Sequence, residues 1–258
     1  MAASPAPTPM LARKSVRFFQ RPYGGYLCLA DADLAEWAGE ALATSTNKNL
    51  EGILRRNWWG FAGRRSADAA LHERAGPELL EACRSQASML DFGMVLTTAA
   101  PNLKARFLLH TVVPGHPQSR DPRPMPADRA AEYAPSDAVA EQLLQQSFEG
   151  VLQRAAELGA RSLCCPAFGC GVRGFPPKVA ARIGLNVLAD PATPPRVPYV
   201  EVRFWDHGVL HAWMQEASES RQLVEVEEMQ VREELWQGES LAAWIDKAEA
   251  EESACHIA

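Results

Sequence analysis

The sequence predicts an α/β fold, a sheet covered by helices on both faces. Three observations carry this. Short apolar runs of strand length alternate with helical-period segments over most of the chain. Leu163–Ala167, a run with the length of a buried strand, passes through Gly169, Gly171 and Gly174 into an Ala/Ile/Leu/Val-rich segment opened by Pro176-Pro177. That order reads as strand, glycine loop, helix. Finally, 47% hydrophobic and 22% charged residues are ordinary for a globular protein, and no apolar run approaches bilayer-spanning length.

The elements follow in order. Residues 1–12, MAASPAPTPMLA, are too proline-rich and unpatterned to fold and read as a disordered tail. Lys14–Gln20 and Tyr26–Ala30 read as strands joined by the turn residues Pro22-Tyr23-Gly24-Gly25. Glu40–Leu50 resembles a strand running into a polar loop. Ala67–Glu73 and Pro77–Cys83 read as helices, Phe92–Thr98 and Phe107–Val112 as strands. Gly115–Ala134 is a long Pro/Arg/Asp-rich connection. Ser136 suits the N-cap of a helix whose buried face carries Val139, Leu143, Leu144, Phe148, Val151, Leu152 and Ala155, with Gly159 as its stop. After the glycine loop and its helix, Pro198–Trp205 reads as the last strand and Asp206–Ala217 as the closing helix. Leu241, Trp244, Ile245 and Ala248 then follow helical spacing after Gly238 and Ser240.

Charge divides the chain. Residues 216–258 hold twelve Asp/Glu and three Lys/Arg, a net of −9, leaving +3 on the remaining 215 residues. The organisation expected is a tail at 1–12, a folded body at 13–217 and an acidic helical extension at 218–258. An overall charge of −6 argues against general nucleic-acid binding, so no direct DNA contact is expected, but leaves a nucleotide ligand open. Six cysteines without a CxxC pair read as free thiols of a reducing compartment, so the expected location is intracellular, with the acid-free first thirty residues leaving an organellar presequence open.

Two readings of the glycine loop stand side by side. Successive backbone N–H groups at a helix N-terminus make an anion site suited to phosphate. A ligand-free αβ turn has the same spacing. Neither a Walker loop nor a dinucleotide fingerprint is present, because the string is G-C-G-V-R-G-F-P.

Preceded by Cys165-Pro166-Ala167-Phe168, that string resembles the second ligand loop of the macro domain family. Further blocks agree in order. Asp33 to Leu50 is similar to the family's first ligand segment, with Asn47 on its second Asn and Thr44 in place of its first. Asp68–Leu80 is similar to the segment that follows, and Phe107–Pro114 to a later strand with its His, here His110, which reads as a core histidine. Glu51–Ala67 stands where the family has a tight glycine run; it carries Trp58, Trp59, Phe61 and four arginines, and reads either as a lid or partner surface or as a loop packed on its own domain.

The resemblance implies a three-layer α/β/α fold with a mixed central sheet and ADP-ribose as ligand. It implies that Asp33 accepts from the adenine amino group beside Leu34, and that Trp205 lies against the adenine. Gly169, Cys170, Gly171 and Val172 would offer amides to the diphosphate, with Arg173 and Gly174 completing the loop. It resembles most the MacroD-type hydrolases, in which an Asn on the distal ribose and an Asp near the anomeric carbon correspond to Asn47 and Asp68. Arg173 departs from the aromatic common at its position and is expected to meet a phosphate or a partner's carboxylate. No cofactor or metal is expected. The partners expected are ADP-ribose or an ADP-ribosylated protein, and no membrane. The alternative activity is that of a non-catalytic reader, with a protein partner met through the Trp/Arg insertion or the acidic C-terminal helices.

Overall fold

The structure, a computed structural model, describes residues 15–50, 66–119, 127–189 and 197–237, together with residue 243. The expected N-terminal tail, the insertion up to residue 65 and the last helix lie outside these residues.

Eight strands form one sheet: β1 Val16–Gln20, β2 Tyr26–Asp31, β3 Ala41–Thr46, β4 Val95–Ala99, β5 Phe107–Val112, β6 Ser162–Pro166, β7 Tyr199–Phe204 and β8 Val224–Val226. Their order is β4-β5-β3-β6-β7-β2-β1-β8. The five central strands, from β5 to β2, run parallel; β4 and β1 flank them antiparallel, and β8 pairs antiparallel with β1 at the outer edge. The helices are α1 Ala67–Ala75, α2 Pro77–Gln86, α3 Ala127–Ala130, α4 Asp137–Glu157, α5 Pro177–Ala189, α6 His207–Glu219 and α7 Glu228–Glu234.

Alternation along the strands sends side chains to two separate cores. Leu27, Leu29, Ala43, Cys165 and Val202 pack under Phe148, Ile183 and Trp213 of α4, α5 and α6. Tyr26, Cys28, Leu42, Cys164 and Tyr199 pack under Leu71, Leu79 and Cys83 of α1 and α2 and Val231 of α7. This is the three-layer arrangement with a mixed sheet that the sequence implied.

Local chemistry sets the helix starts. Ser66, Ser136 and Asp206 each accept a backbone N–H of the first turn of α1, α4 and α6. One element differs from expectation. The segment after Ala217 opens with a strand before any helix: Val224–Val226 pairs antiparallel with β1, Phe18 opposite Val226. With β1 otherwise an open edge, three residues of β-branched pattern suffice to pair there. Trp236, buried beyond α7, then meets the Tyr199 ring edge-on at 5.4 Å.

Candidate functional site

The parallel strands β3, β6, β7 and β2 point their C-terminal ends to one side of the sheet. In open α/β sheets that side holds ligands. Here it opens into a cavity of about 520 Å³, within the range of small-molecule sites. Its walls are the segments leaving those strands: Asp31–Ala35 after β2, Ser45 in β3, Pro166–Arg173 after β6, and Trp205 and Asp206 after β7, closed by Ser66–Ala67 and Ala70–Leu71 of α1.

The glycine loop forms one wall. Phe168 and Phe175, both buried, anchor it at either end: Phe168 packs 4.9 Å from Phe148 and Phe175 meets His116 at 4.9 Å. The three glycines have different reasons. Gly169 has φ +83°, and a Cβ there would come within 2.8 Å of the Phe175 ring; Gly174 has φ +70°, and its Cβ would meet Ser119 at 2.2 Å. Both are required by the backbone. Gly171 has neither constraint, since a Cβ there meets nothing within 4 Å. Its smallness leaves space in the cavity wall.

Among the described residues, no hydrogen bond uses the amides of Gly169, Gly171 or Val172. These donors are held by a pinned loop and left unmatched beside an open cavity. The Cys170 amide differs from expectation: it closes a turn on the Ala167 carbonyl at 3.2 Å. Gly174 likewise donates to the Gly171 carbonyl at 3.2 Å and does not line the cavity. Cys170 lines it, but burial pushes its thiol up to about 12, leaving it an unreactive thiol.

At the opposite end stand Asp33, Leu34 and Trp205. Asp33 Oδ1 accepts from the Ala35 amide at 2.9 Å, capping a short 3₁₀ turn at Leu34–Glu36. Asp33 is exposed, so its other oxygen faces solvent and cavity. Its backbone carbonyl accepts from Arg203 at 2.5 Å, and Arg203 is itself paired with Glu201 at 2.6 Å. Trp205 is 67% exposed, so it is no core residue; it offers a bare aromatic face at the cavity rim.

Arg173 lines the cavity but is not the anion donor expected. It is buried, its guanidinium pairing with Glu132 at 2.6 Å and donating to the Thr46 carbonyl at 3.0 Å. A phosphate would have to compete with both partners.

Asn47 and Asp68 lie beside the cavity without lining it. Asn47, half-buried, follows β3 and turns the chain, its carbonyl accepting from the Leu50 amide at 3.0 Å. Asp68 sits in the first turn of α1, next in sequence to the cavity-lining Ser66 and Ala67, its side chain only 5% exposed. Thr44 Oγ1 donates to its Oδ1 at 3.2 Å, and His72 Nε2 lies 3.9 Å away. Burial raises the Asp68 pKa to about 7, against the opposing pull of the Thr46 and Thr44 hydroxyls and the Arg173 charge. A carboxyl poised near neutrality beside a cleft is suited to proton transfer.

Beneath it, His72, Cys83 and His110 gather their donor atoms within 4.8 Å of one another. His110 Nε2 is already engaged, 3.0 Å from Thr98 Oγ1 and 3.6 Å from Cys83 Sγ. Burial lowers the His110 pKa to about 3 and raises the Cys83 thiol to about 11. His110 and Cys83 are thus a neutral hydrogen-bonded core pair, with the buried His72 Nε2 beside them finding no hydrogen-bond partner among the described residues, in keeping with the core reading of His110.

Two positions at the site escaped sequence reasoning. Arg203 carries a strand signal only, and its grip on the Asp33 carbonyl depends on β2 and β7 being neighbours. Ser66 signals a helix cap by its type and position, but nothing in its spacing says that it also walls a cavity.

Comparison with known proteins adds independent findings. The macro domain family model matches residues 43–184. A macro domain-containing protein of Streptomyces griseus is 34% identical over 165 residues, 62% of this chain and 81% of that one. An O-acetyl-ADP-ribose deacetylase of Escherichia fergusonii is 30% identical over 61% of this chain and 75% of its own length. Among solved structures, the Oceanobacillus iheyensis macrodomain with ADP is similar at TM-score 0.63 and 20% identity, over 81% of this chain and 97% of that one. The Trypanosoma brucei macrodomain in complex with ADP-ribose is similar at TM-score 0.54 and 20% identity, over 73% and 68%. At such identity these two likenesses show the fold alone.

Proposed function

The chain belongs to the macro domain family, and on that footing we propose that it binds ADP-ribose in the cavity at the strand ends and hydrolyses it from an ester, either O-acetyl-ADP-ribose or a mono-ADP-ribosylated protein. The observation that carries the proposal is the loop wall: among the described residues, three unmatched amides belong to residues lining a cavity with a carboxylate and an exposed indole at its other end. Amides suit a diphosphate because their dipoles are fixed and keep their sign at any pH. The adenine rests on Trp205 and donates its 6-amino group to Asp33. A carboxylate there disfavours a 6-oxo purine, which would leave two acceptors facing each other.

The distal ribose then points to Ser45 and the Ser66–Ala67 wall, with Asn47 and Asp68 behind it. In ester hydrolysis, water adds to the carbonyl carbon and the ester C–O bond breaks. Asp68, partly ionised near its pKa of about 7, takes a proton from the water and returns it to the departing ribose oxygen. With its side chain 5% exposed, it acts through a bridging water or after a small shift of Ser66–Ala67.

One observation favours a second reading. Neither Asn47 nor Asp68 lines the cavity. A module that recognises ADP-ribosylated partners without turnover needs only the adenine and diphosphate ends. The insertion at 51–67 and the acidic C-terminal segment would supply further partner contacts, and the protein would work inside the cell. The deciding assay incubates wild type and Asp68→Asn with O-acetyl-ADP-ribose and with a mono-ADP-ribosylated protein, quantifying free ADP-ribose. Turnover by wild type and at least a hundredfold loss in the variant supports the hydrolase. Binding without turnover by wild type supports the reader.

A further inference from the structure

Arg173 is the one charged residue of the glycine loop, and the proposed ligand contacts do not use it. It is nonetheless the most connected residue there. Its guanidinium meets Glu132 at 2.6 Å and the Thr46 carbonyl at 3.0 Å. Its own carbonyl accepts from the His116 amide at 2.7 Å and from Ser119 Oγ at 3.1 Å. One side chain thus ties together the loop after β6, the C-terminal end of β3 and the connection from 115 to 134. Thr46 is the residue before Asn47, and it faces Asp68 from β3.

We propose that Arg173, balanced by Glu132, is a positioning residue that clamps Thr46–Asn47 to the glycine loop and supplies the positive charge facing Asp68. The assignment rests on the hydrolase reading for the use made of Asp68; the clamp itself does not.

The surroundings of Asp68 support this. From β3 it faces the Thr44 and Thr46 hydroxyls; on its own helix His72; from α2, Cys83; and, beyond His72, His110 of β5 with ring centroids 6.1 Å apart. Burial lowers the pKa of both histidines and raises that of the thiol, so these groups stay neutral near pH 7. Among the described residues that face Asp68, Arg173 alone carries a lasting positive charge, and it opposes the rise that burial imposes on the carboxyl. An arginine cannot be discharged by burial at working pH, so its influence is constant.

The sign of the response separates this role from plain support of the loop. Removing Arg173 deletes a cation and leaves Glu132 unpaired, and both changes lift the Asp68 midpoint. Removing the Glu132 charge leaves the cation uncompensated and lowers it. A loop merely loosened by either change would admit water and carry Asp68 down toward the ordinary carboxylate range in both variants.

The test is a ¹³C-carboxyl NMR titration of the full chain, with the Asp68 resonance identified by its loss in Asp68→Asn. The expected midpoint is near 7 in wild type, higher in Arg173→Met, lower in Glu132→Gln, and near wild type in Arg173→Lys. An unchanged midpoint, or a downward move in both Arg173→Met and Glu132→Gln, overturns the proposal. If Arg173→Met does not fold, Arg173→Lys decides it: a midpoint kept near the wild-type value supports the proposal, and a downward move like that of Glu132→Gln overturns it. In parallel, the pH profile of kcat/KM for O-acetyl-ADP-ribose should shift with the midpoint. If wild type shows no turnover, the hydrolase reading fails while the titration still decides the clamp.

Discussion

Replacing Gly171 by Glu should abolish ligand binding while leaving the fold intact. The magnitude follows from the loop. A Cβ at Gly171 meets no atom within 4 Å, so the apo protein loses little stability. In the complex, the new carboxylate would occupy the cavity beside the amides of Gly171 and Val172. Hydrogen bonds to a charged group are worth about 1.5–3 kcal/mol each. Two lost bonds come to about 3–6 kcal/mol, and like-charge repulsion with the diphosphate adds to it. The affinity should therefore fall by about two to four orders of magnitude. Thermal unfolding with and without ADP-ribose reads both quantities. At a hundredfold excess over Kd, wild type should gain about 2.7 kcal/mol. For a chain of this size that raises Tm by about 5–10 °C. Gly171→Glu should unfold within about 2 °C of wild type without ligand and show no ligand shift. Gly169→Ala and Gly174→Ala should instead lower the apo Tm, since each needs positive φ and collides with Phe175 or Ser119. A Gly171→Glu protein that is stabilised by ADP-ribose as wild type is would refute the assignment of the loop.

Three further predictions follow from the same geometry. Trp205→Ala should leave Tm almost unchanged, because the indole is 67% exposed, yet lose base stacking worth about 1–3 kcal/mol, a Kd weaker by about 5- to 150-fold by calorimetry. Asp33→Asn keeps the cap on the Ala35 amide, since Asn caps as well as Asp, so stability should hold while the preference for ADP-ribose over its 6-oxo analogue narrows in competition binding. Asp68→Asn should stabilise the protein more at pH 8 than at pH 5. A carboxyl whose folded pKa is raised from 3.8 to about 7 stays protonated longer in the native state, so its contribution weakens as pH rises between those values and is fully unfavourable above 7, by up to about 4 kcal/mol. Equal stabilisation at both pH values, measured by urea unfolding, would show that Asp68 ionises normally.

The parts of the site that were legible in the sequence are those built from consecutive residues. The glycine loop follows from Gly169, Gly171 and Gly174 between two phenylalanines, and Asp33 and Trp205 follow from the resemblance of their segments to those of the macro domain family. Strand alternation likewise separates the two cores, with Leu27 and Leu29 on one face and Tyr26 and Cys28 on the other. What stayed hidden depends on pairs distant in sequence. Arg173 reads as an anion binder until Glu132, 41 residues earlier in a proline-rich connection, is seen to hold it. The Cys170 amide reads as a donor until the turn on Ala167 uses it. Val224–Val226 is too short and too close to a run of acids to read as a strand, and it pairs only because β1 is an available edge. Spacing also cannot tell that Ser66 and Ala67 line the cavity while Asp68, the next residue, does not.

The central claim is that unmatched loop amides and the Asp33–Trp205 end together select an adenosine diphosphate ribose. Calorimetric titration of the wild-type chain tests it most directly, with ADP-ribose, AMP and ribose 5-phosphate in parallel. The account predicts one site per chain with a submicromolar to micromolar Kd for ADP-ribose, AMP weaker by at least tenfold, and no heat from ribose 5-phosphate. Silence with ADP-ribose at millimolar concentration, or equal affinity for all three, would contradict it.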